Sequence, residues 1–295
     1  MRELNRMVLL VGATGRLGSR IARELLASRT PVRALCRRTS ASGALRRMGA
    51  EIVVGDVSDV ESLDRACSGI DTLLTTASAV RRGGDETIER VDLEGTRALF
   101  EAAARQHVRH IVYVSAYGAD EADAMPLMAA KGRNEAFLRA SGTDWTVVAP
   151  DLFMESSVGE VVGRPAATGQ PVTIVGDGRT RHAFIAEHDV AAFSVAAVKH
   201  PAALNRRLEV GGQLFAWHEV VATYERTLGR ALEVRHADAG TPISGLSPDV
   251  RLMLDTMDRH DSEFDAGPLA VELGVPLTTL DAWVRASVVM SRQGV

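Results

Sequence analysis

Three glycines, Gly12, Gly15 and Gly18, stand at intervals of three directly behind the apolar run MVLLV, within LLVGATGRLGSR. Glycines so spaced either let backbone N–H groups close on the oxygens of a pyrophosphate at a helix start, or simply let a strand turn sharply into a helix. The phosphate reading recruits Gly12, Thr14, Gly15, Arg16, Leu17 and Gly18. A second group follows downstream. Arg37 and Arg38 stand together, and no acid occurs between Glu24 and Glu51. Paired guanidinium groups suit phosphate oxygens, whereas a carboxylate here would suit a free ribose diol. In an arginine-rich chain the same residues also read as surface charge. Asp56 reads equally as a loop or capping acid. The two cysteines, Cys36 and Cys67, have neither the number nor the spacing of a metal or disulfide framework, and read as packed thiols. His107 with His110 and His182 with His188 lack a third nearby ligand, so no metal site is expected.

The elements that must position these groups follow an alternating rhythm. Short apolar runs recur at 8–12 (VLLVG), 32–37 (VRALCR), 51–56 (EIVVGD), 71–78 (DTLLTTAS), 110–116 (HIVYVSA) and 144–150 (DWTVVAP). Helical or turn sequence follows each run. From Leu17 the apolar spacing becomes helical, with Leu17, Ile21 and Leu25 on one stripe. Ser58 and Glu61 have the spacing of a capping box ahead of VESLDRAC, and 87–106 carries one long helical pattern. This rhythm predicts an α/β protein with a doubly wound parallel sheet, in which the glycines fall at a strand-to-helix junction. After Pro150 the rhythm breaks into a turn-rich passage that contains the strand candidate PVTIV. HDVAAFSVAAVKH then reads as a helix, and RRLEVGG as a strand able to rejoin the sheet. The expected organisation is a dinucleotide-binding domain of residues 1–150 with 183–214, and a smaller substrate-binding region of 151–182 with 215–295.

Composition excludes several classes. The chain of 295 residues is 46% hydrophobic and 24% charged, with a net charge of −4. That is an ordinary globular composition, without general attraction for nucleic acid or anionic lipid. No apolar run reaches membrane-spanning length, and MRELNRM lacks the apolar core of a signal peptide. A cytoplasmic protein with a small-molecule substrate, and without nucleic-acid or membrane partners, is expected. Oligomeric state is left open.

The motifs GATGRLG, GDVSD, VSAYGAD, KGRNEAFLRASGTDWTVVAPDLFME and PVTIVGDGRTRHAFIAEHDVAAF resemble the NmrA-like group of atypical short-chain dehydrogenase/reductase proteins over nearly the whole chain. The resemblance implies a Rossmann fold that binds NADP(H), with NAD(H) as the lesser alternative. It places Asp56 and Val57 along the adenine, and Thr76, Ala77 and Ser78 along the pyrophosphate and nicotinamide ribose. By their position, Phe153, Met154 and Phe184 read as bordering the substrate pocket or, at least equally, as apolar core.

Conventional members place a tyrosine four residues before a lysine, so that the ammonium lowers the phenol's pKa. The only lysines are Lys131 and Lys199, and four residues before them stand Leu127 and Val195. The full motif is absent. By resemblance Ser115 matches the serine, Lys131 the lysine, and Leu127 the missing tyrosine. Lys131 also has a place among the cofactor-binding residues, through the nicotinamide ribose. Its bland alternative is a solvated helix lysine. The resulting expectation is an NAD(P)H-dependent oxidoreductase reducing a small carbonyl, quinone or conjugated double bond, with Lys131, Tyr117 or water as the proton source. The alternative is a non-catalytic NADP(H)-sensing regulator. If the glycines cradle a pyrophosphate, Gly12→Val is expected to abolish cofactor binding while the fold survives.

Overall fold

The computed structural model describes residues 7–79, 86–119, 125–243, 248–257 and 261–292. In chain order these form β1 (Val8–Val11), α1 (Arg16–Ala27), β2 (Val32–Cys36), α2 (Gly43–Arg47), β3 (Glu51–Val54), α3 (Val60–Cys67) and β4 (Thr72–Thr75). A π-helical segment, Ile88–Gly95, leads into α4 (Thr96–Arg105), followed by β5 (His110–Val114), α5 (Pro126–Ala140) and β6 (Asp144–Pro150). A second π-helical segment, Gly159–Gly163, precedes α6 (Arg164–Thr168), β7 (Val172–Val175), β8 (Arg181–Ala183), α7 (Glu187–Lys199), β9 (Arg206–Val210) and β10 (Leu214–Ala216). The chain continues with α8 (Trp217–Leu228), β11 (Val234–Ala237), α9 (Pro248–Met257), α10 (Gly267–Leu273) and α11 (Leu280–Arg292). None of these helices is long and apolar enough to cross a membrane.

The chain divides into two units. The first takes in the described residues through Pro150, with Val190–Glu209 and Leu273–Val275; the second takes in Asp151–Asp189, Val210–Glu272 and the described residues from Pro276 onward. Residues 183–189 and 211–214 cluster with the second unit, while Val210 ends β9 of the central sheet.

The first unit is built on a seven-stranded sheet of order β3-β2-β1-β4-β5-β6-β9. The registered pairs from β3 to β6 are parallel, with Val8 of β1 opposite both Val32 of β2 and Thr72 of β4. β1 is buried along its whole length, as its unbroken apolar sequence requires of a strand covered on both faces. Strand order reverses between β1 and β4, and such a switch point opens a crevice at the carboxyl ends of the strands. α1 rests on this sheet through Gly18, Ile21, Ala22 and Leu25. One face of the sheet is filled by Leu9, Leu73, Ile111, Phe100 and Tyr113, the last two in edge contact at 5.4 Å.

Two local expectations change. The cap of α3 is Asp59, whose side chain accepts from the Ser62 N–H; Ser58 instead gives its hydroxyl to Asp56. Asp59 stands one residue nearer the helix, where its carboxylate reaches the first-turn N–H of Ser62. The pattern over 87–106 is not a single α-helix. Its first half is the π-helical segment, started by the Thr87 side chain, and Thr96 ties the widened turn by donating to the Val91 carbonyl at 3.2 Å. The widening turns Asp92 into the interior, where it is 1% exposed.

The second unit pairs β7 with β11 in parallel and β8 with β10 antiparallel. Its own apolar core includes Leu152, Val172, Ile174, Trp217, Val220, Leu280 and Val284.

His110 of β5 is buried, with Nε2 at 2.9 Å from Thr146 Oγ1. Because that hydroxyl donates to the Ala203 carbonyl, the imidazole Nε2–H must donate to the hydroxyl. Burial, opposed by the nearby Asp144 charge, pushes its pKa down to about 4. An unfolded histidine takes up its proton near pH 6.5, so between that value and about 4 the unfolded chain binds more protons. Stability from this group is present above the unfolded pKa and is lost as pH falls through that window. Thermal unfolding at pH 7 and pH 5 should show this acid sensitivity, and His110→Gln should have a flatter pH dependence. An identical pH dependence in the variant would contradict the assignment.

Candidate functional site

At the switch point the backbone leaves β1 through Gly12, whose φ of +88° lies in the region that side chains disfavour. A Cβ there would stand 2.5 Å from Thr76 Oγ1, and a Cβ at Gly18 only 2.2 Å from the Gly12 carbonyl oxygen. Both glycines are therefore required by close packing at the β1–α1 junction, whatever the loop binds. The expectation that Gly12→Val would leave the fold intact is overturned: a branched side chain cannot fit. Gly15 differs. Its backbone is extended (φ −75°, ψ 170°), and an added Cβ would meet only the Gly12 oxygen, at 3.2 Å. It stands at the N-cap of α1, offering no side chain to the first turn, which contains no acidic residue. The N–H groups of Arg16, Leu17 and Gly18 belong to that first turn, where an α-helix has no internal acceptors. Uncapped donors at the positive end of a helix beside an exposed glycine fit the oxygens of a pyrophosphate. Thr14 and Arg16 are exposed on the same turn, and Leu17 is half-buried.

The loop after β4 lies against this turn. Thr76 N–H donates to the Val11 carbonyl, Ala77 N–H to Thr75 Oγ1, and Ala79 N–H to Asp92 Oδ2 at 2.8 Å. Thr76, Ala77 and Ser78 are thus held on a pinned backbone at the carboxyl end of the sheet.

At the ends of β2 and β3 the charges are paired more closely than the sequence suggests. Arg37 Nη1 is 3.2 Å from Glu86 Oε1. Arg38 is exposed, with no ion-pair partner among the described residues. Asp56 accepts from the Ser58 N–H at 2.9 Å and the Ser58 hydroxyl at 2.7 Å. Partial burial raises its pKa, but these bonds and the charges of Arg37 and Arg90 outweigh it and hold the carboxyl below its usual range. Beyond Asp56 lies a groove of about 590 Å³, lined by Val57, Ser58, Val60, Thr87, Arg90 and Ala98 among others. Its size suits a planar base.

Under β5 and α5 lies a buried polar network. Glu135 is 0% exposed and accepts from Ser115 Oγ at 2.5 Å, Arg139 Nη2 at 2.8 Å and Arg207 Nε at 3.0 Å. Arg207 also reaches Glu209 and the Ala116 carbonyl. One turn earlier on α5, Lys131 donates to the Val114 carbonyl at 3.0 Å and lies 5.4 Å from the centre of the Tyr113 ring. Burial lowers its pKa, against the opposing effect of Asp92 and Glu135. Lys131 is therefore a buried, bonded residue and not a solvated one. The single proton of the Ser115 hydroxyl is committed to Glu135, so in this arrangement Ser115 can accept a hydrogen bond but not donate one. Tyr117 is half-buried at the same end of the sheet, its N–H bonded to the Pro150 carbonyl.

In the second unit, Met154 and Phe184 are 1% and 0% exposed within the apolar core, Phe184 in edge contact with Trp217. Phe153 alone of the three is half-buried. Sequence reading had overlooked Glu86, Arg90, Asp92, Glu135 and Arg207. They act across long sequence separations, which sequence spacing does not record. Among the described residues, no group of three or more His, Cys, Asp or Glu side chains could hold a metal ion.

A parallel sheet with this switch point, a glycine turn and an uncapped helix start define a Rossmann-type dinucleotide-binding protein. The chain belongs to the NAD(P)H-binding family, whose model matches residues 12–201, and its neighbours among solved structures are of the NmrA-like, atypical short-chain dehydrogenase/reductase type. It is 33% identical over 228 residues to a (4-alkanoyl-5-oxo-2,5-dihydrofuran-3-yl)methyl phosphate reductase from Streptomyces griseus, covering 77% of this chain and 75% of that one. It is also 31% identical over 223 residues to the photosystem II assembly factor Ycf39 of Synechocystis, covering 75% and 68% of the two chains. Its fold is similar to that of an NADPH-dependent quinone oxidoreductase from Escherichia coli complexed with NADPH, with a TM-score of 0.79 over 95% of this chain and 99% of the other at 23% identity.

Gly15 provides the test of the phosphate cradle that Gly12 cannot. Gly15→Ala should melt within a few degrees of the parent, because its backbone is already extended and an added Cβ would meet a single atom, the Gly12 oxygen, which need give by only a few tenths of an ångström. It should nonetheless weaken NADPH binding by about tenfold, as a methyl group holds phosphate off the first-turn N–H groups. Calorimetric titration with a parallel thermal melt checks both; unaltered binding would return the loop to a purely structural role.

Proposed function

We propose that this protein is an NADPH-dependent reductase of a small conjugated acceptor, a quinone or an activated double bond, rather than of an isolated carbonyl. The observation that carries this reading is the internal commitment of the polar groups near the expected proton-donor positions. Ser115 gives its proton to Glu135, Lys131 is bonded to the Val114 carbonyl, and Leu127 stands where a phenol would be needed. An isolated carbonyl needs a positioned acid as negative charge develops on its oxygen. A quinone or enone spreads that charge over its own conjugated system and can take its proton afterwards from water. Tyr117 also carries a phenol at this end of the sheet.

Bound NADPH would supply the hydride. The chain's own residues would do the rest. The start of α1 and the pinned loop of Thr76, Ala77 and Ser78 would hold the pyrophosphate and the adjoining ribose. Arg37 and Arg38 would take the 2′-phosphate, and Asp56 and Val57 would flank the adenine beside the groove. Lys131 would stiffen the floor beneath the nicotinamide ribose. Of the three apolar residues assigned to substrate, Phe153 would face it, while Met154 and Phe184 would support it from within the core. The reductase named among the relatives supports this reading. A second reading, a non-catalytic NADP(H)-binding protein that acts through a partner, is favoured by the likeness to an assembly factor and by the same lack of a positioned acid.

NADPH absorbance followed against quinones, enones and simple aldehydes separates the two. Quinones and enones should turn over and simple aldehydes should not. Lys131→Ala should lower kcat by about tenfold or more, because an interior bonded charge is lost, whereas Ser115→Ala removes one neutral bond and should alter it by about threefold. NADPH should bind more tightly than NADH, with Arg37→Ala and Arg38→Ala each weakening it by roughly 1.5–3 kcal/mol. Tight NADPH binding without turnover across the whole panel would favour the partner-binding reading.

A further inference from the structure

The sequence contains no acid near the end of β2, yet the fold brings one there. Glu86, which lies 49 positions after Arg37 in the chain, sets its carboxylate 3.2 Å from the Arg37 guanidinium. The pair is partly open to water, with side-chain exposures of 37% for Arg37 and 24% for Glu86. The neighbouring carboxylate, Asp56, is already occupied by two bonds from Ser58, and Arg90 balances it from the other side. Arg38 stands exposed beside the pair.

We propose that Glu86 is a specificity-determining residue for the cofactor, an internal anion that occupies Arg37 until a ribose 2′-phosphate displaces it. The proposal rests on the reading of Arg37 and Arg38 as the 2′-phosphate receptor, and deepens it. The chemistry of the two possible guests differs at this one position. A 2′-phosphate brings two negative charges and is repelled by Glu86 while it is attracted by Arg37 and Arg38. A free ribose diol brings two hydroxyl donors, for which the same carboxylate is an acceptor. Glu86 thus narrows the margin by which NADPH is preferred and makes NADH a usable second cofactor. Sequence inspection around β2 predicts a site that prefers the 2′-phosphate; the long-range Arg37–Glu86 pair moderates that preference.

The test is calorimetric titration of NADPH and NADH into the parent, Glu86→Gln, Glu86→Ala, Arg37→Ala and the double variant Glu86→Gln/Arg37→Ala. Both Glu86 variants should tighten NADPH by about two- to fivefold at low salt, the range of one exposed ion pair, and the gain should shrink in high salt. NADH binding should stay level or weaken. In the Arg37→Ala background, Glu86→Gln should give a smaller gain, because its partner is gone. Unchanged or weaker NADPH binding in both Glu86 variants, with Arg37→Ala still costing affinity, would overturn the role of Glu86 alone. Equal binding of NADPH and NADH by the parent, unaffected by Arg37→Ala or Arg38→Ala, would instead overturn the phosphate-receptor reading on which it rests.

Discussion

The close approach of two glycines at the end of β1 is the constraint on which the rest of the first unit depends. A Cβ on Gly18 would stand 2.2 Å from the Gly12 carbonyl oxygen, a separation no real side chain can adopt. Without that approach α1 could not begin where it does, and its first-turn N–H groups would not meet the carboxyl end of the central strands. The positive φ of Gly12 and its tight fit against Thr76 join the same turn to the loop after β4. Two of the three glycines are therefore explained by packing alone. The third, Gly15, is the one whose missing side chain leaves room for a ligand.

The second dependence is electrostatic. Glu135 is wholly buried, and a carboxylate so placed is tolerated only when its oxygens are bonded and its charge is balanced. Arg207, Arg139 and Ser115 meet that need, and in doing so they remove Ser115 from the list of available donors. Lys131 is subject to the same logic: burial acts against its charge, while Asp92 and Glu135 support it. Residues that resemble a catalytic serine and lysine by position are here parts of an internal lattice. On the proposed reductase reading, the chemistry left to the protein is that of orientation and exclusion of water around a cofactor.

The cofactor corner shows a third balance. Three arginines and two carboxylates gather where β2 and β3 end, and against its partial burial the Asp56 carboxyl is held low by its bonds from Ser58 and by the charges of Arg37 and Arg90. Such partly exposed pairs contribute little to stability. Their effect is on which anion is welcome.

Much of the first unit was determined by the sequence alone. The runs at 8–12, 32–37, 51–56, 71–78, 110–116 and 144–150 became β1 to β6; β1, β4 and β5, in the middle of the sheet, are buried along their whole length, whereas the edge strand β3 stays partly open. The glycine spacing marked the β1–α1 turn for a local reason: only glycine fits there. Local capping was less legible, since Ser58 and Asp59 are adjacent candidates and only geometry chose Asp59. Tertiary structure alone decided which charges meet. Glu86 reaches Arg37, and Glu135 reaches both Ser115 and Arg207, because helices and loops distant in the chain converge at the carboxyl ends of the strands. The roles of Ser115 and Lys131 follow from those meetings. Hydrophobic periodicity records which face of an element is buried, but it carries no record of the polar partner waiting on the other side.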